Sequence, residues 1–226
     1  MNALESSDPL IVYVDIKSPY AFVAIRPTLE LEASLGIRFD WRPLTLDIPS
    51  YLGSAKKVQG QVVESNRSEM QWRMIKYGYK DARRYAERQG YILKGTEKIW
   101  DSSMANIGIL WVVQKKRDLL KNYFEAVYPP FWRRELNIED VQVIENCLEK
   151  AGVESAGFSD FCQNEGLKIH DDLQAQLHPV GIFGVPTYVV DEKILFGREH
   201  LPLVGWLLGG SKGPAPDVAY EISDSV

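Results

Sequence analysis

Apolar positions change rhythm along the chain, and each change marks an element. Leu10-Ile-Val-Tyr-Val-Asp15 is a short β-branched run, the pattern of a strand buried on both faces. Ser18-Pro19 follows as a helix start: serine caps free amides, and proline fits a first turn where its missing N–H costs nothing. Tyr20 to Leu35 reads as that helix, with Ala21, Ala24, Ile25, Leu29 and Leu31 supplying much of an apolar face. Pro27 is expected to kink it and Gly36 to stop it. Ile37-Arg-Phe-Asp-Trp41 then alternates as a second strand, so the opening predicts a parallel strand–helix–strand unit.

From Arg42 to Gln61 the texture is loop, broken by Pro43, Pro49, Gly53 and Gly60. A helical middle follows: Asn66 to Gln89, Ser102 to Gln114, Tyr123 to Val127, Ile138 to Ala151 and Ser155 to Glu165. Met104, Ile107, Leu110 and Trp111 give the second of these a buried face, and no strand-like run intrudes between residues 62 and 165. Strand texture returns in Gly184-Val-Pro-Thr-Tyr-Val-Val190. A turn at Asp191-Glu192 and Lys193-Ile-Leu-Phe196 complete a hairpin, and Arg198 to Leu208 is a closing helix. The order βαβ, helices, ββα predicts an α/β fold whose first and last parts share one sheet. Its boundaries are residues 8–62 and 166–210 for the sheet domain, 63–165 for an all-helical insertion, and 211–226 for a mobile tail.

Composition narrows the function classes. The chain has 226 residues, 45% of them apolar, and 26 basic against 31 acidic side chains leave a net charge of −5. That balance argues against a general nucleic-acid coat. Cys147 and Cys162 form no CxxC and cannot staple a fold of this size, which excludes a disulfide scaffold and a zinc ribbon. His170, His178 and His200 offer little for a multi-histidine site, so no metal is expected. Leu173 to Val190, the longest uncharged stretch, holds two prolines and two glycines and cannot span a bilayer. The N-terminus carries no secretory signal pattern, so the expected setting is cytoplasmic, with both thiols reduced.

Two positions are candidates for chemistry. Ser18 stands where the first strand hands over to a helix, the edge at which open α/β sheets bind ligands. Free N–H groups and a partial positive charge there favour an anion. A serine hydroxyl at that point can donate to a thiolate and lower its pKa. The plain alternative is a helix cap and nothing more. Val185-Pro186 opens the late strand, where proline suits either a cis bond or an ordinary trans edge position.

Together these segments resemble a known family. Asp15-Ile-Lys-Ser-Pro-Tyr20-Ala21, a helical middle, Gly181-Ile-Phe-Gly-Val-Pro-Thr-Tyr-Val-Val190 and Phe196-Gly197 are similar to the DsbA-like branch of the thioredoxin fold. Within that branch they resemble 2-hydroxychromene-2-carboxylate isomerases and kappa-class glutathione transferases, over about Leu10 to Leu208. The resemblance implies a thioredoxin-like sheet with a large helical insertion, glutathione as cofactor, and a homodimer. Disulfide oxidoreductases of this fold carry CxxC where this chain has Ser18-Pro-Tyr-Ala21, so no dithiol cycle is expected here.

By the same resemblance, Ser18 holds the glutathione sulfur, and the backbone of Val185, ahead of a cis Pro186, pairs with the cysteinyl part like an added strand. The γ-glutamyl end falls to Arg198 and Glu199, where the family shows a small polar residue and then aspartate. Lys57 and Gly60 match the family's second loop, whereas Gln61 replaces asparagine and two prolines are absent. The implied substrate is an aromatic or unsaturated organic acid. Between Arg67 and Lys98 nine basic and four acidic residues give a local +5, either a solvated helix face or an attraction for carboxylates. Trp72, Tyr77, Tyr79 and Trp100 line an aromatic pocket or pack in the core. Two other readings stay open: a redox-inactive DsbA-like binding protein, and a disulfide oxidoreductase, against which the missing CxxC speaks.

Overall fold

The computed structural model describes residues 1–58 and 61–216. Gly60 and most of the expected tail, residues 217–226, therefore lie outside the described residues. Strand β1 (Ile11–Val14) is buried at every position and leads into helix α1 (Pro19–Leu35). Strand β2 (Asp40–Pro43) pairs parallel with β1, from Ile11 opposite Asp40 to Val14 opposite Pro43. The sequence places this strand slightly early: residues 37–39 only approach the sheet, and pairing starts where the Asp40 N–H reaches the Leu10 carbonyl at 2.8 Å.

After β2 comes a short helix, α2 (Ile48–Leu52), and then two strands that the sequence reading missed, β3 (Ala55–Val58) and β4 (Gln61–Ser65). They form a separate antiparallel pair on which nearly every residue is exposed. A strand that buries neither face has no reason to alternate apolar with polar, so periodicity is silent about it. Helix α3 (Glu69–Arg88) follows, its start fixed by a capping box between Ser68 and Gln71.

The helical section continues with α4 (Ser103–Lys116), α5 (Leu120–Trp132), α6 (Val141–Lys150) and α7 (Phe158–Gln163). Helix α8 (Glu165–Leu177) was not foreseen. Its buried positions Gly166, His170, Leu173 and Leu177 have helical spacing, but only two are large aliphatics, and the amides and acids between them hide the stripe. Strands β5 (Thr187–Val190) and β6 (Lys193–Phe196) form the expected hairpin, and α9 (Leu201–Leu208) closes the fold after one 3₁₀ turn at Arg198–His200. The sheet order β2-β1-β5-β6 puts the first and last thirds of the chain side by side. Among the described residues, no helix is long and apolar enough to cross a membrane.

Two proline-containing helices show how packing repairs a local defect. Helix α1 runs through Pro27, which cannot donate to the carbonyl of Val23 one turn back. Gln89, capping the C-terminus of α3, donates its Nε2 to that carbonyl at 2.7 Å. Helix α5 likewise runs on through Pro129 and Pro130, well past the Val127 end that the sequence suggests. Pro130 frees the Ala126 carbonyl, and the Cys147 thiol donates to it at 3.6 Å. Around these helices Phe22 stacks on Tyr128 and Trp132, at 5.7 and 6.1 Å between ring centroids.

Replacing Gln89 by Met should therefore cost about 1–3 kcal/mol in denaturant unfolding, because a buried carbonyl loses its donor. In a Pro27→Ala background the helix supplies its own donor, and the same change should cost less than half as much.

Candidate functional site

The loop between β1 and α1 is held from below by one carboxylate. Asp15 is fully buried, and a buried charge persists only when hydrogen bonds replace water. Its Oδ1 accepts from Ser102 Oγ at 2.5 Å, Asn106 Nδ2 at 3.0 Å and the Lys17 N–H at 3.2 Å. Its Oδ2 accepts from the Leu46 N–H at 2.9 Å. Asn106 also accepts from the Ile16 N–H at 3.1 Å, so the first turn of α4 grips both the side chain and the backbone of the loop. The Asp15 carbonyl takes the Ser18 N–H at 3.0 Å and the Tyr128 hydroxyl at 3.1 Å.

Behind this loop a polar chain runs outward. Asn106 Nδ2 donates to Thr45 Oγ1 at 2.7 Å, and Thr45 Oγ1 lies 2.8 Å from His170 Nε2. His170 Nδ1 in turn lies 2.8 Å from Asp171 Oδ1. Thr45 and His170 thus carry the polar chain from Asn106 out to Asp171. Asp15, Asn106, Ser102, Thr45 and His170 all escaped the sequence reading. The available signal was local: an acid closing a buried strand, and Ser102 and Asn106 one turn apart beside an apolar helix.

On top of this base, Ser18 is 4% exposed and caps α1. Its Oγ accepts from the Ala21 N–H at 3.2 Å. Among the described residues no acceptor takes its own proton, which leaves the hydroxyl free to donate. The Val185–Pro186 bond is cis. Strands β1 and β5 pair antiparallel with Tyr13 opposite Thr187, so the segment that follows β1 and the one that precedes β5 leave the sheet at the same end. Ser18 and Val185-Pro186 thus share one sheet edge. Among the described residues, no hydrogen bond takes up the main-chain N–H or C=O of Val185, so two strong backbone groups stand ready for a ligand.

The other expected residues spread outward from there. The Arg198 guanidinium carbon sits 3.2 Å from the Tyr85 ring centroid. Nearby, Tyr20 donates to Asp81 at 3.1 Å, and burial together with that carboxylate pushes its phenol up to about 12. The Glu199 carboxylate curls against Gly197, whose φ of +112° suits glycine. Lys57 donates to the Thr96 carbonyl at 3.2 Å, and Gln61 sits exposed on β4. No hydrogen bond among the described residues joins either to Ser18 or Val185.

The basic segment is partly spent on aromatic faces: Arg67 over Trp72, Arg83 over Tyr79 and Lys98 over Trp100. Of the aromatic residues read as either pocket lining or core, Tyr79 and Trp100 pack against the core, Tyr79 on Trp132, and Tyr77 is exposed. Trp100 also lines a cleft of about 240 Å³ with Phe131 and Trp132, of which Ser18 is not part.

Comparison with known proteins agrees with this architecture. The sequence matches the DSBA-like thioredoxin domain over residues 9–205. A 2-hydroxychromene-2-carboxylate isomerase from Sphingobium xenophagum is 25% identical over 190 residues, covering 84% of this chain and 92% of the relative. A solved 2-hydroxychromene-2-carboxylate isomerase superposes with a TM-score of 0.68 at 18% identity, over 89% of this chain and 95% of its own. The cytosolic disulfide reductase DsbM from Pseudomonas aeruginosa, solved with GSH, gives 0.50 at 14% identity, over 82% and 87%. At such identities the two structures speak for the fold alone.

Both cysteines are buried, and burial pushes the Cys162 thiol up to about 11. A neutral thiol is the form the fold accommodates, so Cys162 adds no pH dependence below its ordinary value of 9.0, and stability should fall as pH climbs from there through about 11. At pH near neutrality both thiols should resist a disulfide reagent until the protein is unfolded, which a thiol count in the presence and absence of denaturant reads directly.

Proposed function

The chain belongs to the DSBA-like thioredoxin domain family, and from that premise we propose that it is a glutathione-dependent isomerase or transferase acting on an aromatic or unsaturated organic acid. The observation that carries the reading is the Ser18 hydroxyl. It caps α1 with its own proton uncommitted, at the position where dithiol relatives carry sulfur, while the chain's two thiols are buried in the helical section. A site built to hold a sulfur anion, without a sulfur of its own, suits a thiol that arrives with its ligand. The isomerase relative from Sphingobium xenophagum supports the reaction class.

The residues present fit glutathione. Val185 would offer its free main-chain N–H and C=O to the cysteinyl backbone. Ser18 would donate to the sulfur, and the N-terminal amides of α1 would favour its anionic form. Arg198 would meet the α-carboxylate of the γ-glutamyl end, with Glu199 facing its ammonium, and Lys57 and Gln61 would reach the glycyl end from the hairpin. When bound, glutathione supplies the nucleophilic sulfur that a conjugated acid needs for bond rotation or addition. The chain's part is to hold that sulfur deprotonated and to orient the acid beside it.

Calorimetry with glutathione should give a saturable signal at millimolar ligand or below; no heat would transfer the balance to a binding protein for some other ligand. Ser18→Ala should raise the pKa of the bound thiol and slow turnover about 10-fold or more, the effect expected for loss of one hydrogen bond to an anion. An unchanged thiol titration would remove Ser18 from the mechanism.

A further inference from the structure

Lys17, the residue before Ser18, is not accounted for by anything above. Its side chain is only 7% exposed, and its closest carboxylate oxygen is Asp15 Oδ2 at 3.9 Å, beyond hydrogen-bond range. Among the described residues its ammonium makes no hydrogen bond. Asp15, by contrast, already has four donors and does not need a fifth. A nearly buried cation held to its nearest carboxylate without a hydrogen bond acts through its field alone.

The field has an evident target. A buried negative charge three residues before Ser18 opposes a second negative charge on a sulfur held by that serine. Lys17 stands beside that carboxylate on the same loop. We propose that Lys17 is the residue that sets the charge of the Ser18 site, offsetting Asp15 so that a ligand thiol bound there ionises near neutral pH. This rests on the glutathione reading above. The other charged or titratable groups around the loop are Asp47 and Tyr51 from the α2 segment, Asp101 before α4, Tyr128 on α5, whose hydroxyl donates to the Asp15 carbonyl, and His170 on α8. Arg198 and Glu199 stand before α9. Asp47 and Asp15 both push the Tyr51 phenol up, after burial, and Lys17 helps hold Asp101 down against its burial. The acids outnumber the cations around the loop, which makes the Lys17 charge the one whose loss is felt.

The test is a charge series in the full chain: Lys17→Arg, Lys17→Met and Lys17→Glu, each saturated with glutathione. The pKa of the bound thiol is read from its ultraviolet thiolate absorbance, with melting temperature recorded alongside. Arg should leave the thiol unchanged, Met should raise its pKa by about one unit and Glu by roughly twice that, following the charge removed. A structural role would change melting without ordering the pKa values by charge. A flat or reversed series with glutathione still bound overturns the assignment, and the Arg and Met pair decides the matter if Glu fails to fold. If the unchanged chain shows no calorimetric binding of glutathione, the cofactor reading fails first and this inference falls with it, a result distinct from a flat series.

Discussion

A carboxylate with no contact to water must be satisfied entirely by protein, and Asp15 recruits its donors from three separate stretches of chain. Ser102 and Asn106 come from the start of α4, Leu46 from the segment after β2, and Lys17 from the loop itself. None of the three could shift relative to the others without leaving a buried charge short of a partner, at a cost of about 1–3 kcal/mol or more per lost bond. The helical section is therefore fastened to the sheet at the point where Ser18 is presented. That fastening makes a hydroxyl on a loop into a fixed feature of the site.

The same logic explains why the two cysteines are structurally placed rather than chemically poised. Cys147 serves a carbonyl that Pro130 leaves without a donor, and the burial of Cys162 favours the neutral thiol. Neither environment resembles the electropositive, half-open surroundings in which thiolates react. At the sheet edge the opposite holds: amides at a helix start, a free hydroxyl and an unpaired stretch of backbone gather with no thiol among them.

Much of the fold could be read from the sequence because its signals are local. The β-branched run before Asp15, the Ser18-Pro19 start, the Gly36 stop and the late hairpin each announce themselves within a few residues, and Val185-Pro186 is cis as the resemblance implied. What escaped has physical reasons. Strands β3 and β4 bury no face, so they carry no period. Helix α8 buries a glycine and a histidine where aliphatics would have drawn notice. The network beneath Ser18 joins Asp15 to Asn106 across 91 residues, and although each side carries a local polar signal, neither neighbourhood says that the two pair. The outer site residues Lys57, Gln61, Arg198 and Glu199 were expected from the family resemblance alone, and in this structure Lys57 donates to the Thr96 carbonyl while Arg198 lies over Tyr85.

The exposed hairpin has a bearing on how such a molecule can change. Its two strands hold each other through their own ladder, closed at the base by Ser54 and Asn66, and lean on the rest of the chain by few polar tethers, Lys57 to Thr96 among them. Substitutions there leave the core untouched, while substitutions under Ser18 disturb three segments at once. The two ends of the proposed ligand groove are thus unequally free: the sulfur end is tied to the survival of the fold, and the far end can be rewritten at almost no structural expense. A chain built this way can keep one chemistry and exchange the molecules it is offered to.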